Sequence, residues 1–189
     1  MKTRPASGFT LIAILVMMVV LAFLALGAVS TSIVQERMAG NARDRNVAVQ
    51  AGEAALRDAE NDIALNLNYF SGFTDLCPTG LCEPPSMATP ASAVSAPKWT
   101  TINWATQSRV YGSITGAASL KGPNNDPLSS QPRYFIERLP PLLVPSGESA
   151  CLGCPQTRPP KPYAFRITVQ AFGVRDTTSV MLQSVYVKQ

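Results

Sequence analysis

The residues whose types and spacing come closest to a chemical site are four cysteines. Cys77 and Cys82 form one close pair, and Cys151 and Cys154 form the other. Four thiolates can hold a zinc ion, and a Cys-x-x-Cys spacing also occurs in thiol redox proteins. Four cysteines equally allow three disulfide connectivities. The spacing alone leaves zinc, redox and disulfide roles open until the compartment of this part of the chain is known.

Other catalytic chemistry finds no support in the sequence. The chain contains no histidine, which excludes His-dependent nucleophiles, His-ligated metals and imidazole acid–base catalysis. No glycine-rich phosphate loop, nucleophile elbow or carboxylate pair is visible. The net charge is +4, and Lys2 and Arg4 of the first residues contribute to it, so a basic face for nucleic acid is not expected. We expect neither an enzyme nor direct binding of nucleic acid.

Residues 9–29 form an uncharged apolar run behind a short basic leader, residues 1–8. As a helix this run would span about 30 Å, the thickness of a bilayer core. A secretory signal peptide is the alternative, with Ala25-Leu26-Gly27 as a mimic of its cleavage site. Its apolar region would measure only about 7–15 residues. We therefore expect a retained membrane helix over residues 9–29.

Positive charges do not decide the orientation of the membrane helix, because they lie on both sides of the apolar run: Lys2 and Arg4 before it, and Arg37, Arg43 and Arg45 after it. The expected orientation therefore depends on the cysteines. Cysteine pairs favour an oxidising compartment for the distal part, which leaves the amino end in the cytoplasm. We then expect local disulfides within each cysteine pair, and neither zinc nor any other cofactor. A redox role for Cys151 and Cys154 is disfavoured because they lie in a proline-rich loop, not at a helix start.

The distribution of proline separates a helical region from a sheet region. The chain has 16 prolines, and none lies between residues 6 and 77, which predicts one long helix over residues 9–66 with Gly27, Gly40 and Gly52 as points of weakness. Residues 30–68 are the expected amphipathic continuation beyond the membrane, with charges such as Asp44 on the solvated side. The face predicted to pack comprises Val34, Met38, Arg45, Val49, Gly52, Leu56, Ala59 and Ile63.

Residues 69–189 are predicted to form a loop-rich domain around a small antiparallel sheet. Strands are expected at residues 98–104, 132–139, 163–172 and 178–187, with a turn at 173–177 and long loops at 71–97 and 140–162. Trp99, Trp104, Tyr134 and Phe135 are predicted to pack in the core. The expected fold class is α+β, with one long amino-terminal helix on the sheet.

The junction Gly8-Phe9-Thr10-Leu11-Ile12 behind the basic leader resembles a class III prepilin signal. The resemblance implies that a prepilin peptidase cuts between Gly8 and Phe9 on the cytoplasmic side and methylates the new amine of Phe9. Gly8 suits such a site because it has no side chain and its backbone can extend. A generic signal anchor with a chance Gly-Phe pair is the alternative.

Further blocks resemble PilX-type minor pilins of the type IV pilus, and they lie at residues 35–46, 51–60, 132–137, 165–168 and 182–186. The resemblance implies a type IV pilin-like fold and a scarce subunit that primes pilus assembly. Its implied partners are other minor pilins, the major pilin and a PilY-like tip adhesin. Its implied location is the inner membrane, with the carboxy-terminal domain in the periplasm, and then the pilus tip.

One position departs from the pilin pattern. Typical pilins carry glutamate at the fifth mature residue, where this chain has Ala13. In pilins that carboxylate is thought to pair with the terminal amine of a neighbouring subunit, and a buried carboxylate needs such a partner in lipid. The departure implies a tip subunit and disfavours the major pilin.

Two other functions remain as alternatives. A tip pseudopilin of type II secretion also lacks the glutamate, but usually carries a much larger inserted domain. A membrane-anchored binding module would use the loop at 140–162 and would keep residues 1–8. For a pilin, we expect the helix to pack against other pilins and the loop at 140–162, or failing that residues 98–119, to contact tip partners.

Overall fold

A computed structural model describes residues 9–83, 97–140 and 162–188, without the side chains of residues 26 and 28–31. The chain divides into two compact units between Arg43 and Asp44. Helix α1, Phe9–Asn66, contributes to both units. Gly8, Cys151, Cys154 and almost all of the loop at 140–162 lie outside the described residues, so their predicted roles stay predictions.

Helix α1 runs without interruption through Gly27, Gly40 and Gly52, as the lack of proline predicts. It ends at Asn66, and its last carbonyls receive hydrogen bonds from another part of the chain. The ammonium of Lys188 donates to the carbonyls of Ile63, Ala64 and Leu67 at 2.8, 3.0 and 2.7 Å. A cation at this end also complements the helix dipole.

The first unit contains the apolar part of α1. Large apolar side chains are exposed along it; Phe9 is 75 % exposed and Leu11 71 %. In the part of the chain that the structure describes, no helix is both long and apolar enough to cross a membrane. The predicted span of residues 9–29 includes residues 26, 28 and 29, whose side chains lie outside that part.

The second unit contains the sheet. Its strands are β1 (Leu81–Cys82), β2 (Arg109–Val110), β3 (Arg133–Arg138), β4 (Tyr163–Phe172) and β5 (Ser179–Lys188), in the order β1-β3-β4-β5, with β2 also paired to β3. A short helix α2, Lys98–Thr101, and a 3₁₀ turn, Pro123–Asn125, lie in the connections. The predicted α+β fold, a long helix on a small sheet, is confirmed.

The sheet is mixed, and in this the expectation of an antiparallel sheet is wrong. β1 runs parallel to β3, whereas β2, β4 and β5 join through antiparallel pairs. A parallel pair needs a long crossover, and the chain between Cys82 and Arg133 is long enough to provide it. The strand predicted at 98–104 is also wrong: α2 begins there after Pro97, whose carbonyl accepts hydrogen bonds from the backbone and hydroxyl of Thr100.

Small side chains allow α1 to pack closely on the sheet. Ala51, Ala55, Ala59 and Ile63 share a buried cluster with residues of β3 and β4, namely Tyr134, Ile136, Phe165, Ile167, Val169 and Ala171. A Cβ at Gly52 would lie 2.7 Å from Leu182 Cδ1, so this glycine is a packing position and not a break. Burial of these apolar side chains stabilises the second unit.

The second half of α1 packs on the sheet, as predicted, whereas packing of its earlier residues against other pilins stays a prediction. Gly52, Ala59 and Ile63 are buried, and Val49 and Leu56 are half-buried, but Val34, Met38 and Arg45 are exposed. Tyr134 and Phe135 are fully buried as predicted, and Trp104 packs edge-on against Phe135. Trp99 is 42 % exposed, so its predicted core position is wrong.

Candidate functional site

Three aspartates of α1 point into the second unit instead of into solvent. Asp44, Asp58 and Asp62 are 7, 5 and 0 % exposed. Asp44 was expected on the solvated side of the helix, and this expectation is wrong because Asp44 is buried. The missed signal is that all three share a helix face with Ala48, Ala51, Ala55 and Ala59, the residues that contact the sheet region. Asp44 and Asp58 each bind a connection of the sheet domain, and Asp62 binds strands β2 and β3.

Asp62 is the most buried of the three and binds the start of the sheet. Its carboxylate forms an ion pair with Arg109 of β2, accepts a hydrogen bond from the Tyr134 hydroxyl at 3.3 Å, and accepts another from the Asn66 amide at 3.1 Å. Burial raises the pKa of Tyr134, and the negative charges of Asp62 and Asp58 raise it further. Tyr134 is therefore a neutral hydrogen-bond donor at any physiological pH.

Asp58 holds the loop that follows β2. It accepts hydrogen bonds from the backbone N–H of Gly112, at 2.9 Å, and from the Thr115 hydroxyl. Gly112 has φ of +72°, a conformation that glycine adopts without strain. A carboxylate that accepts a backbone N–H satisfies a donor that would otherwise be buried without a partner.

Asp44 binds the turn between β4 and β5. Its Oδ1 accepts hydrogen bonds from the N–H groups of Val174, at 2.8 Å, and Arg175, at 3.4 Å. A Cβ at Gly173 would lie 2.6 Å from the same oxygen, so this glycine permits the close approach. Burial favours the neutral acid, but hydrogen bonds from the Thr178 side chain and from both N–H groups outweigh it, and the pKa of Asp44 is lowered.

The lowered pKa of Asp44 predicts an acid-dependent loss of stability. The ordinary value is 3.8, so above that pH the carboxylate contributes its full stabilisation, which is lost as the pH falls through the lower folded-state pKa. Asp44→Asn should therefore reduce the drop in unfolding free energy between pH 5 and pH 2 relative to wild type. Urea unfolding at several pH values measures this, and an unchanged pH profile would contradict it.

A fourth buried carboxylate lies on the opposite face of the sheet. Glu137 of β3 is 1 % exposed and accepts two hydrogen bonds from Arg166 of β4, at 2.7 and 2.9 Å. These bonds raise the pKa of Arg166. The two residues are direct cross-strand partners, so the bidentate pair fixes the register of β3 and β4.

The Cys77–Cys82 disulfide predicted from sequence is present. Both cysteines are buried and pack on Phe135, with Ile102 and Trp104 at the border of the cluster. Cys82 belongs to β1, so the bridge attaches the connection after α1 to the parallel edge of the sheet. Among the described residues, no three histidine, cysteine or acidic side chains are grouped to hold a metal.

Removal of this disulfide should lower the free energy of unfolding moderately. The loop between Cys77 and Cys82 is short, and loop-closure entropy predicts a loss of about 2 kcal/mol for Cys77→Ala with Cys82→Ala. Chemical denaturation of the double variant against wild type measures the loss. Reduction of wild type with dithiothreitol, which also opens the predicted Cys151–Cys154 bridge, should produce at least this loss, and a stability unaffected by either treatment would contradict the prediction.

A cavity of about 370 Å³ lies between α1 and the segment before β3. Val47, Ala51, Leu120 and Leu128 supply apolar walls, and Gln50 and Lys121 supply polar groups. Two such groups without a nucleophile or a second charge do not form a catalytic arrangement. The buried aspartates, the bidentate ion pair and the disulfide position the loops of the sheet domain on the helix.

Two family models cover almost the whole of this arrangement. The model of the type IV pilus assembly protein PilX C-terminal domain matches residues 76–188, and the PilX N-terminal model matches residues 7–57. The chain belongs to the PilX family. The PilX C-terminal match contains all strands of the described residues and both cysteines of the Cys77–Cys82 bridge, and PilX proteins are structural components of the type IV pilus. No curated protein and no solved structure matches the chain significantly.

The PilX N-terminal match includes the predicted processing junction. Phe9, the predicted mature amino terminus, is the first residue of α1, and Ala13 lies one turn further with its side chain exposed. Asp44 also falls within the N-terminal match, whereas Asp58 and Asp62 lie in the gap between the two matches. Neither match assigns a role to an individual residue.

Proposed function

We propose that this PilX-family chain is a minor pilin that helps prime type IV pilus assembly in a tip-located complex with other minor pilins and a PilY-like adhesin. The observation that carries the proposal is the family match at both ends of the chain. The distribution of apolar residues along α1 supports the proposal. The part of α1 in the first unit exposes large apolar side chains, and the part in the second unit packs on the sheet.

The exposed side chains of the first unit need an apolar environment. Phe9, Leu11, Met18 and Phe23 are 75, 71, 68 and 70 % exposed. Burying one such side chain is worth about 1.5–3 kcal/mol. An inner membrane before assembly, and a bundle of similar helices in the filament afterwards, would both supply that burial. The major pilin and the other minor pilins are the proposed helix partners.

The sheet domain is proposed to lie in the periplasm and later at the cell surface. A buried disulfide between Cys77 and Cys82 suits an oxidising compartment. Prepilin peptidase is the proposed processing partner, with cleavage between Gly8 and Phe9 and N-methylation of Phe9. Ala13 has no carboxylate and cannot pair with the terminal amine of a neighbouring subunit. This supports the assignment of the chain as a scarce minor pilin and not as the major pilin that repeats along the filament.

The decisive experiment measures processing and abundance together. Intact-mass analysis of the membrane and pilus fractions should find a chain that begins at methylated Phe9, and quantitative proteomics should find it far below the major pilin in purified filaments. Gly8→Glu should block cleavage and piliation, whereas Gly8→Ala should retain both because alanine remains small. A mature chain that begins near Ala28, or one that supplies most of the filament mass, would overturn the proposal.

A further inference from the structure

Strand β5 forms one edge of the sheet. It pairs with β4 along all ten residues, Ser179–Lys188, and no other strand pairs with it in the part of the chain that the structure describes. The hydrogen bond from the Gly173 N–H to the Thr178 carbonyl shows which residues of β5 direct their backbone N–H and C=O groups toward β4 and which direct them away. It places the N–H and C=O groups of Ser179, Met181, Gln183, Val185 and Val187 on the side away from β4.

The same five residues present exposed side chains. Met181, Val185 and Val187 are 42, 56 and 46 % exposed, and Ser179 and Gln183 are exposed between and beside them. This row carries no charge. The only charge of β5 is Lys188, whose ammonium is bound to the end of α1.

β5 lacks the features that usually protect an edge strand from pairing. It contains no proline, its register with β4 shows no bulge, and no charged side chain lies in the exposed row. Natural edge strands usually carry at least one of these features, because an unprotected edge is a template for another strand. Within the described residues, the backbone groups of this ten-residue edge can therefore pair with an added strand.

The direction of β5 argues against antiparallel pairing with a second copy of this chain. Asp44 binds the turn before β5, a Cβ at Gly52 would contact Leu182, and Lys188 binds the carbonyl of Leu67, so α1 and β5 run in the same sense within the second unit. Two copies joined by antiparallel β5 strands would have opposed helices. Chains that share one membrane or one filament have parallel helices.

We propose that β5 binds an extended segment of a different protein, which adds to the sheet as a further strand. The segment is uncharged and apolar at every second position where it meets the row of Met181, Val185 and Val187, since side chains on the same face of adjacent strands pack on each other and this row offers no charge to pair with. Backbone hydrogen bonds supply the affinity and the apolar row selects the register. The proposal rests on the proposed function in one respect, that the partner belongs to the pilus assembly complex.

Amide hydrogen exchange on the full chain in detergent tests the edge directly. The probe is an acetylated and amidated decapeptide of alternating threonine and valine. In the free chain, the amides of Met181, Gln183, Val185 and Val187 should exchange fast. With the peptide, they should slow at least tenfold. Fast-exchanging amides that the peptide leaves unprotected, or slow exchange of these amides in the free chain, would overturn the proposal.

Val185→Pro tests whether the outward N–H groups of β5 bind the peptide. It removes one N–H that faces away from β4 and leaves the pairing with β4 intact. It should weaken peptide binding at least tenfold, whereas Gln183→Ala should change it less than twofold. Equal weakening by both variants would contradict strand addition. Processing at Phe9 and pilus abundance are measured separately, so failure of peptide binding leaves the minor-pilin proposal standing.

Discussion

Arg109→Met is expected to lower the free energy of unfolding by about 3–5 kcal/mol, because it leaves a buried carboxylate without its cation. Asp62 is fully buried, and the side chain of Arg109 is 12 % exposed. The Tyr134 hydroxyl and the Asn66 amide still donate to Asp62 but carry no charge. Urea unfolding of the full chain in detergent, followed by tryptophan fluorescence, measures the loss.

A surface ion pair of the same domain supplies the control. Lys98 pairs with Asp75, whose side chain is 60 % exposed, so Lys98→Met should cost less than about 1 kcal/mol. Similar losses for Arg109→Met and Lys98→Met would show that burial of Asp62 does not determine the effect. A further variant, Arg109→Met with Asp62→Leu, should recover part of the loss because no buried charge remains.

Gly112→Ala is expected to have the second largest effect, about 3 kcal/mol, from two sources. The residue has φ of +72°, and an added Cβ would overlap the carbonyl oxygen of Ala117. The backbone N–H of Gly112 also donates to Asp58, so a shift of the loop to relieve the overlap would weaken that bond.

Gly116 separates these two sources. Its φ is +77°, but a Cβ there would meet nothing within 4 Å. Gly116→Ala should therefore cost only the strain of the left-handed conformation, about 1 kcal/mol. The difference between the two variants in the same denaturation assay measures the steric overlap. Equal losses would contradict the geometry of the loop at Ala117.

Features with a local cause were predictable from the sequence. The alternation of apolar and polar residues gave β4 with both ends correct, Tyr163–Phe172. The lack of proline predicted α1 to Asn66, and close spacing together with the expected oxidising compartment predicted the Cys77–Cys82 bridge. In each case the pattern reflects backbone geometry or a short loop, which depends little on distant parts of the chain.

Features that depend on contacts between residues far apart along the chain were not predictable from the sequence. Asp44, Asp58 and Asp62 resemble ordinary surface charges of a helix, and only their partners, 47 to 131 residues away along the chain, make burial favourable. The parallel pairing of β1 likewise depends on a long crossover. Hydrophobic periodicity ignores a buried polar residue that has a partner, so the candidate site was less predictable than the fold.

The contacts between α1 and the β4–β5 hairpin have a consequence for the timing of folding during synthesis. Asp44 binds Arg175 across 131 residues, and Lys188 binds Ile63 across 125. A chain that emerges amino end first exposes the alanine face of α1 long before either partner appears, and such non-local closure is slow. We expect the emerging domain to need a holding chaperone until β5 has been synthesised, after which one late step covers the helix.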